Sequence, residues 1–202
     1  MGRFSFLQFQ GTVYRATSYD TPLWVLPNRR SGRWNDPVDE TIVQYCTLDA
    51  AAPLAEFVRH EDLREAADAA EARLSVWQLR LAEGAIVDLS SPERATAQEV
   101  DWDALVADDW KACQELGREI AAAGGRGILG PCAALPGSLS LTIFGPRSEI
   151  RWTAEPRLAI QIPARKIMHG APGAGIVAGT RFFGMPYPDG VATPAVGHLL
   201  DR

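Results

Sequence analysis

The sequence predicts a mixed α/β (α+β) single domain over residues 1–166, followed by a Gly/Pro-rich extension over residues 167–202. Strand-like runs of apolar and β-branched residues alternate along the chain with segments of helical period, the pattern of mixed architectures. The 202 residues suit one domain. A hydrophobic share of 47% beside 22% charged residues supplies a core and excludes wholesale disorder.

Residues 11–17 read as the first strand and the polar, Pro- and Arg-rich residues 18–40 as a loop. Residues 42–46 form a second strand. Asp49 stands where a helix N-cap belongs, and residues 50–60 read as a helix that tolerates Pro53 only in its first turn. The Ala-rich, charged stretch 61–71 predicts another helix. Leu74, Val76, Leu79 and Leu81 suggest a strand, and residues 86–89 a separate short one. Thr96 with Glu99 predicts a capping box for a segment around 102–106. The clearest helix is 108–123, with Trp110, Cys113, Leu116 and Ile120 on one stripe and Gly124-Gly125 as its stop. The Asp pairs 101/103 and 108/109 read as helix-start carboxylates that favour the macrodipole. Strands at 127–129, 140–144 and 158–162 follow. The extension holds seven Gly and four Pro and reads as loop-rich, with Phe182, Phe183, Met185 and Tyr187 arguing against complete disorder.

The formal net charge of −5 argues against a general nucleic-acid binder, but it is unevenly spread. Residues 1–35 carry five Arg and one Asp, whereas residues 36–125 carry seven basic and twenty acidic residues. The three cysteines have no metal-ligand spacing, and an odd count with no secretory h-region predicts a cytoplasmic, reducing setting. No apolar run is long enough for a membrane span. His60, His169 and His198 are scattered, so no metal is expected.

Two glycine motifs match dinucleotide fingerprints in letters only. Gly125-Arg126-Gly127-Ile128-Leu129-Gly130 follows a predicted helix and enters a strand, the inverse of the strand, turn, helix order that a phosphate loop needs. Gly173-Ala174-Gly175-Ile176-Val177-Ala178 is expected to meet Phe-Phe-Gly-Met-Pro instead of a helix. A Cys132 nucleophile is less expected than a packed thiol.

Chemistry-bearing residues gather at strand ends and loops: Arg15 ending the first strand, Arg33 in Ser-Gly-Arg-Trp-Asn, Tyr45 in the second strand and Glu56 on the following helix. Glu56 is flanked by Ala51, Ala52, Leu54, Ala55 and Phe57, an apolar setting in which a carboxylate needs a partner.

Ordered blocks of the chain resemble the RES domain family, toxins of bacterial RES–Xre toxin–antitoxin pairs. They are Val13-Tyr14-Arg15-Ala16, Gly32-Arg33-Trp34-Asn35, Tyr45 with Ala52-Pro53-Leu54-Ala55-Glu56, Gln114-Glu115-Leu116-Gly117, and Gly127 through Ala133 running to Leu141-Thr142-Ile143-Phe144. The resemblance implies a fold like that of ADP-ribosyltransferase toxins, with residues 1–166 as an NAD-binding catalytic domain. NAD is the implied substrate, inorganic phosphate a possible co-substrate, and a DNA-binding Xre-type antitoxin the implied partner. Neither direct nucleic-acid nor membrane binding is expected. Cleavage of the nicotinamide–ribose bond by hydrolysis or phosphorolysis is the first implied activity. Transfer of ADP-ribose to a protein, or a degenerate, non-catalytic role as a ligand- or partner-binding module, are the alternatives. Glu56, Tyr45 and Arg15 are the expected catalytic residues, and Arg15, Arg33, Tyr45, Cys132, Tyr14 and Asn35 the expected NAD contacts. Two guanidinium groups suit a pyrophosphate. One carboxylate can suffice, because nicotinamide leaves from an already cationic ring and needs no proton donor. Cys132 and Ser140 stand where the family usually has Ser and Asn, and a thiol is the weaker donor.

Overall fold

In the computed structural model, residues 3–18, 22, 28–39, 41–145 and 164–192 are described, together with the backbone of 199–200. The expected strand at 158–162, much of the 18–40 loop and His198 lie outside them. Phe9 and Val13 alternate inward along β1 (Leu7–Thr17), which starts earlier than residue 11. β1 pairs antiparallel with the long β3 (Leu74–Asp88), from Leu7↔Ile86 to Thr17↔Ser75. The two strands expected at 74–81 and 86–89 are one strand. Ala85 takes a left-handed conformation (φ 54°), and the chain redirects there without breaking, its carbonyl accepting the Arg126 N–H at 2.8 Å.

The pairing of β3 with β1 ends at Ile86, and from that residue β3 joins β4 (Gly127–Pro131) in parallel. Antiparallel pairs then link β4 to β5 (Leu139–Phe144) and β5 to β2 (Val43–Thr47). A Tyr14↔Thr47 pairing returns to β1, so five strands close a ring. Inside it Phe9, Val13, Cys46, Leu79, Leu81, Ile86, Leu129, Leu139, Leu141 and Ile143 form the main core. Gly127 sits where a Cβ would lie 2.3 Å from the Thr142 carbonyl oxygen, so strand approach explains that glycine without a phosphate.

Helices α3 (Pro92–Ala97), α4 (Trp102–Val106) and α5 (Lys111–Ala122) cover one face of the ring. Their Ala95, Leu105, Cys113, Leu116 and Ile120 pack on Val43, Val87, Leu89 and Ile128. The expected Thr96/Glu99 capping box does not form. Ser91, backed by Pro92 in the first turn, caps α3 by accepting from Arg94 N (3.3 Å), so Thr96 is inside that helix. Asp101 caps α4, as expected, by accepting from Asp103 N at 3.1 Å. Asp109 accepts from Lys111 N ahead of α5, but Asp108 is drawn away from capping into an ion pair.

Helix α1 (Ala52–His60) crosses the ring's mouth with Ala52, Leu54, Ala55, Val58 and Arg59 buried, and Pro53 in its first turn. Its N-cap is Ala51. Asp49 instead accepts from Ala51 N at 2.6 Å, which tightens the turn before the helix. The helix expected over 61–71 shrinks to α2 (Ala66–Ala69), because Asp62 at φ 52° ends α1 sharply. In the C-terminal part, β6 (Ala164–Gly170) continues across position 166/167 and pairs antiparallel with β3. β7 (Leu199–Leu200) pairs with β1. A helix does follow Gly173, contrary to expectation: α6 (Ala174–Gly179) packs Val177 against Val58 and Ala69. Its strand is antiparallel and the helix has only six residues, so the βαβ unit of a dinucleotide fold is not built. Among the described residues no helix is long and apolar enough to cross a membrane.

Candidate active site

A cleft of about 490 Å³ opens where the ends of β1, β2 and β5 meet the 28–35 loop, α1, Trp110 and Phe183. Gly32 and Asn35 bond each other through their backbones (3.0 and 3.3 Å), which makes Arg33 and Trp34 the tip of a tight turn. Trp34 is buried in the helical layer. Gln114 on α5 clamps the turn, its amide donating to Ser31 Oγ (2.9 Å), Gly32 O (2.9 Å) and Asn35 O (3.1 Å). The Gln-Glu-Leu-Gly block is therefore a support for this loop.

Tyr45 reaches the same turn from β2. Its hydroxyl accepts from Trp34 N (2.9 Å) and donates to Asn35 Oδ1 (2.8 Å), while the Asn35 amide donates to Arg30 O at 2.9 Å. Burial holds the Tyr45 hydroxyl above its ordinary pKa, outweighing the Trp34 N–H and the Arg33 charge, so it stays a neutral donor. Asn35 and Tyr45 both line the cleft, but their polar atoms are spent on positioning Arg33. A Cβ on Gly32 would lie 2.6 Å from both Asn35 Oδ1 and the Tyr45 hydroxyl. Gly32→Ala is accordingly expected to cost about 1–3 kcal/mol through overpacking and to lower the melting temperature by several degrees. An unchanged melting curve would show that the turn is softer than this geometry requires.

Arg33 lines the cleft and anchors itself by donating from Nη1 to Leu105 O (2.9 Å) and Ala107 O (2.8 Å), which caps the C-terminus of α4. Arg15 does not line the cleft. It donates to Gln44 Oε1 at 2.6 Å and hydrogen-bonds Cys46, a cleft wall. Tyr14 points to the opposite face, as adjacent strand residues must, and its hydroxyl accepts from Gln78 Nε2 at 3.4 Å. The structure thus gathers Arg33, Asn35, Tyr45 and Glu56 around one cavity and leaves Arg15 and Tyr14 outside its walls.

Glu56 faces the cleft from α1 with about a third of its side chain exposed. The Cys132 thiol, fully buried behind it, donates to Glu56 Oε1 at 3.3 Å, and His60 Nε2 lies 3.6 Å from Oε2. Burial pushes the Cys132 pKa well above its ordinary value and the Glu56 charge adds to the rise, so the residue is a protonated donor and not a thiolate nucleophile. Ser140 lines the floor, donating to Gly130 O (3.4 Å) and Pro131 O (3.3 Å).

Several site residues carry no clear mark in the sequence. Arg59, one helical turn after Glu56, is 2% exposed and donates from Nη2 to Asp108 Oδ1 at 2.5 Å. Asp108 also accepts from Arg181 Nη2 (3.1 Å) and Gly184 N (2.6 Å). Burial alone would raise the Asp108 pKa, but the Gly184 N–H and the two arginines outweigh it and hold the carboxyl below its ordinary range. Burial lowers the Arg59 pKa; Arg181 and Arg33 add to this, and Glu56 and Asp108 oppose it. Arg59 Nε, Arg59 Nη1 and Trp110 Nε1 are buried with no hydrogen-bond partner among the described residues. Each such donor ordinarily costs about 1–3 kcal/mol. His60, Trp110 and Phe183 form an aromatic rim with ring centroids 5.8–6.0 Å apart. The one available signal was the i, i+3 and i, i+4 spacing of Arg59 and His60 from Glu56. Among the described residues no group of three or more His, Cys, Asp or Glu side chains is set to hold a metal.

No curated protein matches the chain. Among solved structures, a chain in the crystal structure of the M. tuberculosis MbcT–MbcA toxin–antitoxin complex is similar, with a TM-score of 0.61 and 25% identity. The match covers 84% of this chain and 88% of that one. A family model described as RES domain matches residues 12–160, which takes in the second half of β1, the Arg33 turn, Tyr45, Glu56 and Cys132. With that span and this structural likeness together, the chain belongs to the RES domain family.

Proposed function

We propose that this protein cleaves the bond between nicotinamide and ribose in NAD, and that it does so as the toxin of a toxin–antitoxin pair. The observation that carries the reading is Glu56, a carboxylate presented to a cleft with guanidinium groups on the same walls and held by a thiol donor behind it. As the glycosidic bond breaks, nicotinamide departs as a neutral base with the bonding electron pair, and positive charge grows on the ribose carbon. A fixed carboxylate stabilises that charge in a partly water-excluded site. The ribose carbon then takes an oxygen from water, with loss of a proton to solvent, or from inorganic phosphate. In this reading Arg33 supplies charge for the dinucleotide's phosphates and the Tyr45 ring stacks on the nicotinamide, which their positions in the cleft lining support. Arg15, hydrogen-bonded to Cys46, adds to the positive field.

The Cys132 thiol donates to Glu56 Oε1, so the cysteine keeps a donor on the carboxylate, which supports an active family member. An arginine-modifying transferase is less favoured: Leu54, two residues before Glu56, is buried among Leu74 and Val76 and offers no second carboxylate. A partner antitoxin, of the Xre type that the family resemblance implies, is supported by the toxin–antitoxin complex of the structural neighbour. The test is release of nicotinamide from NAD by purified protein, with and without inorganic phosphate. Release that phosphate accelerates identifies phosphorolysis, and release indifferent to it identifies hydrolysis. No release in either condition would sink the reading.

A further inference from the structure

The two buried arginines beside Phe183 are treated unequally. Arg181 spends its donors on Met185 O (2.9 Å), Val106 O (3.1 Å), Ala133 O (3.4 Å) and Asp108 (3.1 Å). Among the described residues Arg59 donates only to Asp108, and its Nε and Nη1 find no acceptor there. Trp110 Nε1 has none either. Both side chains are walls of the cleft, and both lie against the same ring: the Arg59 guanidinium carbon is 4.2 Å, and the Trp110 ring 6.0 Å, from the Phe183 centroid.

N–H groups without acceptors on two walls of one cleft select a ligand that accepts and does not donate. Hydroxyls and amides bring donors of their own, whereas a phosphoryl oxyanion brings none and matches the planar fork of a guanidinium. We propose that Arg59 and Trp110 form a phosphoryl-binding subsite of the cleft, and that the bound oxyanion takes the place of the Phe183 ring over the guanidinium. Phe183 is suited to yield by rotation of its side chain. The ring is only half-buried, while the backbone next to it stays tethered through the Gly184 N–H to Asp108 at 2.6 Å. The source of the phosphoryl group rests on the NAD reading, as either the dinucleotide's pyrophosphate or inorganic phosphate.

Calorimetric titration with ADP-ribose and, separately, with inorganic phosphate tests the subsite. Arg59→Lys keeps a cation for Asp108 but removes the fork, and Trp110→Phe keeps an aromatic ring while removing the N–H. Each variant is expected to weaken binding about tenfold or more, the loss of one charge-assisted hydrogen bond. Phe183→Ala is expected to tighten it. Weakening confined to ADP-ribose places the dinucleotide's pyrophosphate in the subsite, and weakening confined to phosphate places inorganic phosphate there. Folded variants that bind both ligands like wild type overturn the proposal, as does a wild type that binds neither. If Arg59→Lys does not fold, Trp110→Phe decides alone. Nicotinamide release keeps the two readings apart: its absence with Arg59- or Trp110-dependent binding removes only the NAD cleavage reading, and its presence with unaffected binding removes only the subsite.

Discussion

Glu56→Gln is expected to lower the rate of nicotinamide release by about two to three orders of magnitude, the usual effect of removing a group aimed at transition-state charge. The amide keeps the volume and can still accept from the Cys132 thiol, so the cleft is preserved while the charge is lost. Because the interaction with the ribose cation exists only as the bond breaks, the loss should fall on kcat with KM little changed. The melting temperature should move little, since Glu56 is partly exposed and its contacts are a thiol and a histidine. An unchanged kcat would remove Glu56 from the mechanism. A large rise in KM at constant kcat would recast it as a substrate-binding group.

Asp108→Asn is expected to be the most destabilising of the substitutions considered. The carboxylate is the ion-pair partner of Arg59 and Arg181, which are 2% and 7% exposed. Its removal leaves two buried cations without their ion-pair partner, a loss of about 3–5 kcal/mol, or roughly 10 °C in melting temperature for a chain of this size. The pH dependence follows from the direction of the shift. The folded pKa lies below the unfolded value near 3.8, so the stabilisation is complete above the unfolded value and is lost as pH falls through the folded one. Urea unfolding at pH 7 should therefore show the full gap between wild type and variant, and the gap should narrow steadily below about pH 4. A gap of equal size at both ends of that range would mean that the Asp108 charge is not what stabilises this corner. The same substitution should also reduce substrate binding, because the Asp108 network fixes Arg59 and the 181–185 segment together at the cleft.

Much of this architecture was legible along the chain, and the exceptions have identifiable causes. β1, β2, β5, α1 and α5 follow from apolar periodicity and turn residues, which act over a few positions and need no distant partner. The split of β3 into two expected strands failed at Ala85, where a left-handed residue with no glycine signal redirects the chain. The expected Thr96/Glu99 box lost to Ser91-Pro92, a stronger helix start a few residues earlier. In the site, Glu56, Tyr45, Arg33 and Asn35 line one cleft, and their polar atoms have different tasks. Tyr45 and Asn35 hold the turn that aims Arg33, and their polar atoms are already committed. Arg15 and Tyr14 are consecutive on a strand and so cannot share one face.

The sequence by itself determined the family, the mixed fold class and a single carboxylate among cationic residues, because those are matters of residue type, order and local spacing. Only the tertiary structure decided which cations meet that carboxylate. Closure of the strand ring brings α1, the start of α5 and the 181–185 segment to one corner, and there Asp108, which looks like a helix cap, becomes the anion between Arg59 and Arg181. Such pairings are set by contacts between residues 49 and 73 positions apart, a separation over which no local propensity operates.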